Sequence, residues 1–281
     1  MVDVIHRQFE DDLKHYAMVV QSLDVAAALC RFGPQEPKCL VGEALEFFEA
    51  ANALNDTIRE SLPGLPVVRG AMFVQAISRF ESFARQEVED LSLRASNNAE
   101  KYAHLPKAMR ENLQLMAAMV LGNPRKYRMD GQVETIVKTL ATNLDGSSKK
   151  GEINSRCLSI TTENIRSSVL DELFRRLGIE DLWARIGANP ELQIYLEQPD
   201  AAQASGGCQK RLNVAVERRN SIVHNPESVT WPSTTEVTDL LDLLKHLGSA
   251  LSRQIPVFEL RLKSVSEDIK KKLDEKVTPA A

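Results

Sequence analysis

Val67-Val-Arg-Gly-Ala-Met-Phe-Val-Gln-Ala-Ile-Ser-Arg-Phe-Glu-Ser-Phe83 is the stretch on which the reading of the fold turns. Phe73, Ile77 and Phe80 recur every three or four positions, and Ala84, Val88 and Leu91 extend the same line. That period is the mark of a helix with one buried face, and it predicts a helix from about Val67 to Leu93. Glu81 lies four residues after Ile77, at the edge of the stripe. A carboxylate in that place either reaches back to solvent or is held for a purpose.

The same period continues in both directions. Upstream, Phe9, Leu13, Tyr16, Val20, Leu23 and Ala27 form one stripe, closed by Gly33-Pro34. Leu40, Ala44, Phe48, Ala51, Leu54 and Ile58 form a second, ending before Pro63-Gly64-Leu65-Pro66, a candidate boundary. The two read as a helical hairpin. Downstream, helices are expected at Leu105–Leu121, Gln132–Leu144, from Thr161 or Thr162 to a stop at Gly178, and in short pieces at Glu180–Ile186 and Pro190–Glu197. A loop through Ser205-Gly206-Gly207 should precede a helix from about Cys208 to His224, ended by Asn225-Pro226. Ser233 with Glu236 reads as a capping box opening a helix that carries Val237, Leu240, Leu244, Leu247 and Leu251. A last helix is expected from Val257 to about Lys276. No strand is required, so the fold class is all-α.

Composition narrows the function classes. The 281 residues carry a net charge of −4, so the chain as a whole is not a cationic nucleic-acid binder. The charge is uneven: residues 1–60 hold eleven acids and five bases, a net of −6, which leaves +2 for the remainder. Steering of an anionic ligand depends on the local field rather than the total. Cys30, Cys39, Cys157 and Cys208 are scattered without a CxxC pair, so zinc has no supporting spacing. No apolar run approaches the length of about 20 residues that a membrane helix needs. Charges at Asp3, Arg7 and Glu10–Asp12 interrupt any secretory start. A reduced, cytoplasmic protein is the expectation.

Chemistry-bearing motifs are few. There is no GxGxxG, GxxxxGK[ST], HExxH or GxSxG. The adjacent acids Asp11-Asp12 and Glu180-Asp181 would point in different directions on a helix and make poor acid–base pairs. What remains is Glu217-Arg-Arg-Asn-Ser-Ile-Val-His-Asn-Pro226, with Arg-Asn-x-x-x-His inside it. A histidine ordinarily titrates at about 6.5 and suits proton transfer at neutral pH. An arginine carries a planar, permanent charge with several donors. The plain alternative is a helix-terminal histidine beside a solvent-facing arginine. Residues 219 and 224 are also about 140° apart around a regular helix. To converge on one bound group, either the helix loosens before Pro226 or a second chain completes the site.

This segment resembles the catalytic motif of the HEPN superfamily, in which Arg, a polar residue and His end one helix of an all-α bundle. Val67–Phe83 resembles that superfamily's long helix with its acidic residue, as in the RiboL-PSP branch. Thr161-Thr-Glu-Asn-Ile-Arg and the later Leu-Phe-Arg-Arg-Leu-Gly178-Ile also resemble that branch. The resemblance implies a HEPN-like helical domain over 67–254; the N-terminal helical hairpin at 1–62 and the C-terminal helix and tail at 255–281 lie outside it. It implies a metal-independent RNA endonuclease without cofactor, working as a homodimer with a composite cleft, with RNA and a regulatory protein as partners. Its setting would be stress or anti-phage defence. Arg219, Asn220 and His224 take the catalytic positions, Glu81 a supporting one, and Arg218 a backbone phosphate contact. The Tyr found two residues after the His in toxins paired with nucleotidyltransferase antitoxins is replaced here by Pro226, so modification at that position is not expected. Two rival readings are a non-catalytic HEPN-like dimer that binds RNA or protein, and a plain helical adaptor.

Overall fold

A computed structural model describes residues 4–30, 42–225, 227 and 230–277. Gly33-Pro34, Cys39, Leu40 and Pro226 lie outside the described residues. Among those described there are eleven α-helices and no strand. The protein is all-α. In chain order the helices are α1 (Val4–Leu29), α2 (Glu43–Ser61), α3 (Leu65–Asn98), α4 (Lys107–Gly122), α5 (Val133–Asp145), α6 (Ser155–Leu158), α7 (Ser167–Arg175), α8 (Leu182–Gly187), α9 (Pro190–Leu196), α10 (Ala201–His224) and α11 (Thr234–Val277).

The 34-residue α3 is the axis of the molecule, about 50 Å long by its rise. Phe73, Ile77, Phe80, Ala84, Val88 and Leu91, the stripe legible in the sequence, are all buried. Against them lie α1 and α11. Phe9 of α1 stacks on Phe83 with ring centroids 4.4 Å apart and meets Phe80 at 6.1 Å. Gly248 of α11 is the residue that admits this ring, because a Cβ there would stand 2.5 Å from Phe9. Polar contacts reinforce the seam: Asp12 pairs with Arg79, and Asp24 Oδ1 accepts from both Arg69 (3.1 Å) and Thr234 Oγ1 (2.9 Å). That one carboxylate oxygen joins α1, α3 and the start of α11.

By contrast, α2 is largely solvated, with Phe47 and Leu54 exposed. It is tied to the end of α1 by Arg59, which donates to the Cys30 carbonyl at 3.3 Å. A second, smaller core joins α4, α5 and α6 through Met116, Ala117, Val120, Ile136 and Cys157.

Three local expectations need correction. Helix α7 begins at Ser167, not at Thr161 or Thr162. Its first N–H donates to Asn213 Oδ1 of α10 at 2.8 Å, so a tertiary contact supplies the cap and 161–166 stays a loop. Helix α10 runs through Gly206-Gly207 and starts at Ala201. Asp200 caps it by accepting from the Gln203 N–H at 2.9 Å. The two glycines cost about 1 kcal/mol each, offset by burial of Ala204, Ser205 and Cys208 against α8. Third, α11 is continuous through Pro256, between the buried anchors Ile255 and Phe258. The expected capping box is formed, with Ser233 N–H donating to Glu236 at 2.7 Å and Glu236 N–H to Ser233 Oγ at 3.1 Å. Gly178 stops α7 in a left-handed conformation, with the Ile179 N–H returning to the Phe174 carbonyl.

Two results follow from this packing. Phe9→Ala should cost about 3–5 kcal/mol by urea denaturation, and an unchanged midpoint would place α1 outside the core. Burial pushes the thiol of Cys157 up to about 11 and that of Cys208 to about 12. Both should therefore resist a thiol reagent at pH 8 until the chain unfolds. Unfolded thiols titrate at about 8.5. The stability gained by keeping these two protonated is complete below that pH and drains away as pH rises toward the folded values. Rapid native-state labelling of either cysteine would contradict the burial.

Candidate functional site

Helix α10 stays regular to His224 and only Asn225 leaves the helical conformation, its N–H still reaching the Ser221 carbonyl at 3.0 Å. The helix does not loosen before Asn225, so within one chain Arg219 and His224 stay on different faces. The side chains follow from the helical period. Asn220 and His224, four apart, share a face; Ile222 is buried against α3, where Gly70 gives it room beside Trp231. His224 is exposed, while Arg219 and Asn220 are half-buried.

Arg219 and Asn220 are held as a unit. Asn220 Oδ1 accepts from Arg219 Nη1 at 3.1 Å and from Asn164 Nδ2 at 2.6 Å. With both lone pairs of that oxygen used, Asn220 fixes the guanidinium from one side. The Nε of Arg219 is buried without a hydrogen-bond partner, so a donor of the fork remains unsatisfied within the chain. Asn164 is a site residue that the sequence does not single out. Its signal lies in the Thr161–Arg166 segment, but only the fold brings that loop beneath α10.

Glu81 contributes at one remove. Its Oε1 accepts the Ile165 N–H at 2.9 Å. It thus holds the loop whose previous residue, Asn164, holds Asn220, which holds Arg219. The loop is secured further by Arg85, which donates to Thr161 Oγ1 at 2.5 Å, and by Asn213 at Ser167. A carboxylate on the rigid α3 is a good anchor for a backbone N–H that no regular structure would satisfy. Arg218, the expected phosphate contact, donates to the Thr230 carbonyl at 2.6 Å and pairs with Glu236 at 3.6 Å. Its charge is committed to the α10–α11 connection. The carboxyl of Glu236 is held below its usual range by the Ser233 N–H above all, and in smaller part by Arg218.

The arrangement offers one positioned, half-buried guanidinium and one exposed imidazole on the adjoining turn. Chemically that suits binding a phosphodiester and moving a proton beside it. Among the described residues there is no cluster of three or more His, Cys, Asp or Glu that could hold a metal ion, and no helix long and apolar enough to cross a membrane.

Glu81→Ala should raise hydrogen exchange at the Ile165 amide and destabilise the fold by about 1–3 kcal/mol, because it orphans a buried donor. Glu81→Gln, whose amide oxygen can still accept, should recover most of the protection. Unchanged exchange in the alanine variant would show that Glu81 does not hold this loop.

No curated protein and no solved structure matches this chain. A family profile does: that of RiboL-PSP-HEPN, over residues 43–256. The match runs from the first residue of α2 into α11 and takes in Glu81, the Asn164 loop and the end of α10. The chain belongs to the RiboL-PSP-HEPN family.

Proposed function

We propose that this chain is a metal-independent RNA endonuclease in which Arg219, Asn220 and His224 carry the chemistry. The observation that supports this reading best is the Asn164–Asn220–Arg219 arrangement beside His224, at the end of one helix in a member of this family. In RNA cleavage without a metal the ribose 2′-hydroxyl is the nucleophile. An imidazole takes its proton as the 2′-oxygen bonds to phosphorus and the bond to the 5′-oxygen breaks. The leaving 5′-oxygen takes up a proton, giving a 2′,3′-cyclic phosphate and a 5′-hydroxyl. Arg219 is suited to charge building on the non-bridging oxygens, and His224 to the proton transfers. Asn220 is a positioning residue that aims the guanidinium.

One chain presents Arg219 and His224 about 140° apart on a regular helix. A site completed across a two-fold axis removes that mismatch, because a second copy supplies the missing group from the facing helix. The dimer cleft is part of the same proposal, as is a role in stress or anti-phage defence.

Cleavage of a mixed RNA in EDTA tests it. His224→Ala should lower the rate about 10²–10⁴-fold and Arg219→Ala about 10²–10³-fold. The products should carry cyclic phosphate ends. Cleavage by all three proteins at one rate would refute the assignment. Mixing the two variants tests the cleft. Random pairing makes half the dimers mixed, each with one of two sites intact, so about a quarter of wild-type activity should return. No recovery from dimers shown to exchange would place each site within one chain.

A further inference from the structure

Beside the Asn164 loop, a groove of about 820 Å³ runs along α3. One wall is the helix face Ser78, Glu81, Ser82, Arg85, Gln86 and Glu89, a continuous polar stripe at i, i+3, i+4 spacing. The other is formed by Lys126-Tyr127-Arg128 after α4, with Arg156 and Thr161. Four cations therefore face two carboxylates. None of the four takes part in an ion pair among the described residues. Other arginines of the surface, such as Arg94, Arg175, Arg185, Arg253 and Arg261, are held in ion pairs. The two carboxylates are meanwhile occupied by donors of the protein itself: Glu81 by the Ile165 N–H and Glu89 by Ser159 Oγ at 2.5 Å. Lys126, Arg128 and Arg156 are exposed.

The floor of this groove is rigid. Buried Arg176 donates to the carbonyls of Leu158 (2.8 Å) and Ile160 (2.7 Å) and so fixes the segment that carries Ser159 and Thr161. Tyr127 stands half-buried with the Lys126 ammonium 5.5 Å from its ring centre. The groove also abuts the candidate site. Thr161 forms part of its wall, and three residues later Asn164 binds Asn220. Three residues of chain span at most about 11 Å.

We infer that this groove is a second, non-catalytic binding site for the phosphodiester backbone of single-stranded RNA, leading the strand along α3 to the end of α10. Exposed cations without ion-pair partners (Lys126, Arg128 and Arg156) beside one aromatic ring are the features by which proteins track a single strand. The polar stripe of α3 gives no apolar footing for a membrane or an apolar peptide. The inference rests on the RNA reading of the adjacent site, but its test does not require cleavage.

Fluorescence anisotropy of a labelled 20-nucleotide single-stranded RNA, in a His224→Ala background of the full chain, measures the groove directly. Lys126→Glu/Arg128→Asp/Arg156→Glu should weaken binding at least tenfold at low salt. It should also flatten the salt dependence by about two in logarithmic slope, at about 0.7 for each phosphate that is no longer neutralised. Asp is chosen at 128 because that residue has a positive φ, which Asp tolerates. Lys263→Glu/Lys271→Glu/Lys272→Glu, the same charge change on exposed residues of α11, should alter binding less than twofold. Should the first triple fail to fold by circular dichroism, Lys126→Gln/Arg156→Gln decides, with about a threefold loss expected. Equal weakening by both triples, or none by the groove variant, overturns the proposal. Displacement of RNA by inorganic phosphate at constant ionic strength would make this a small-anion site, and displacement by polyglutamate as readily as by RNA would make it a site for acidic peptides. Either result also overturns it. With His224 intact, the groove triple should cleave a dinucleotide normally and the 20-mer slowly. If no protein cleaves anything but the groove still binds RNA, the catalytic reading fails and this one stands.

Discussion

Burial of α3 along one continuous face is the constraint on which the rest depends. Its aromatic and aliphatic stripe needs cover, and the two helices that supply it come from opposite ends of the chain. Once that face is covered by α1 and α11, the remaining faces are free to carry polar work. Glu81, Arg85 and Glu89 lie on one of them, and each reaches the 159–165 segment. A rigid helix is what allows three short polar contacts to keep a loop in register.

The candidate site follows from this support. Its order is imposed from the side of α3 through a backbone N–H, an asparagine amide and then the guanidinium. The chain of contacts uses neutral donors until the last step, so it carries little long-range electrostatic cost. It orients Arg219 through a single hydrogen bond to one nitrogen of the guanidinium. Arg218, one residue earlier, is taken up in closing the turn into α11. Two adjacent arginines on one helix point about a hundred degrees apart and meet different partners.

Much of the architecture can be read from apolar spacing. The α3 stripe, the Ser233–Glu236 box and the Gly178 stop are local signals, and local signals survive into the fold. The failures are instructive for the opposite reason. Ser167 begins α7 because Asn213, 46 residues away, receives its N–H, and no local pattern encodes that. Gly206-Gly207 reads as a break only when propensity is weighed without the burial of Ala204 and Cys208. Here the signal exists: Asp200 with Gln203 has the spacing of a helix start. At the site, Arg219, Asn220 and His224 are visible as a motif, whereas Asn164 and the partner of Glu81 require the loop to be placed in space. The groove is invisible for the same reason, since its cations come from three separate segments.

Asp24 is bound to Thr234, 210 positions further on, and Phe9 rests on Gly248. Helix α1 is therefore made long before the segment it docks with. At about 5–20 residues per second, it waits about 10–40 s for its partner to be made. During that interval α10 has been synthesised, but the anchor that follows it has not. Of the groups at the end of α10, Arg218 meets its partners Thr230 and Glu236 only after that helix is complete. Until α11 is made, the apolar face of α3 lacks part of its cover, and its aromatic stripe is open to the wrong partner.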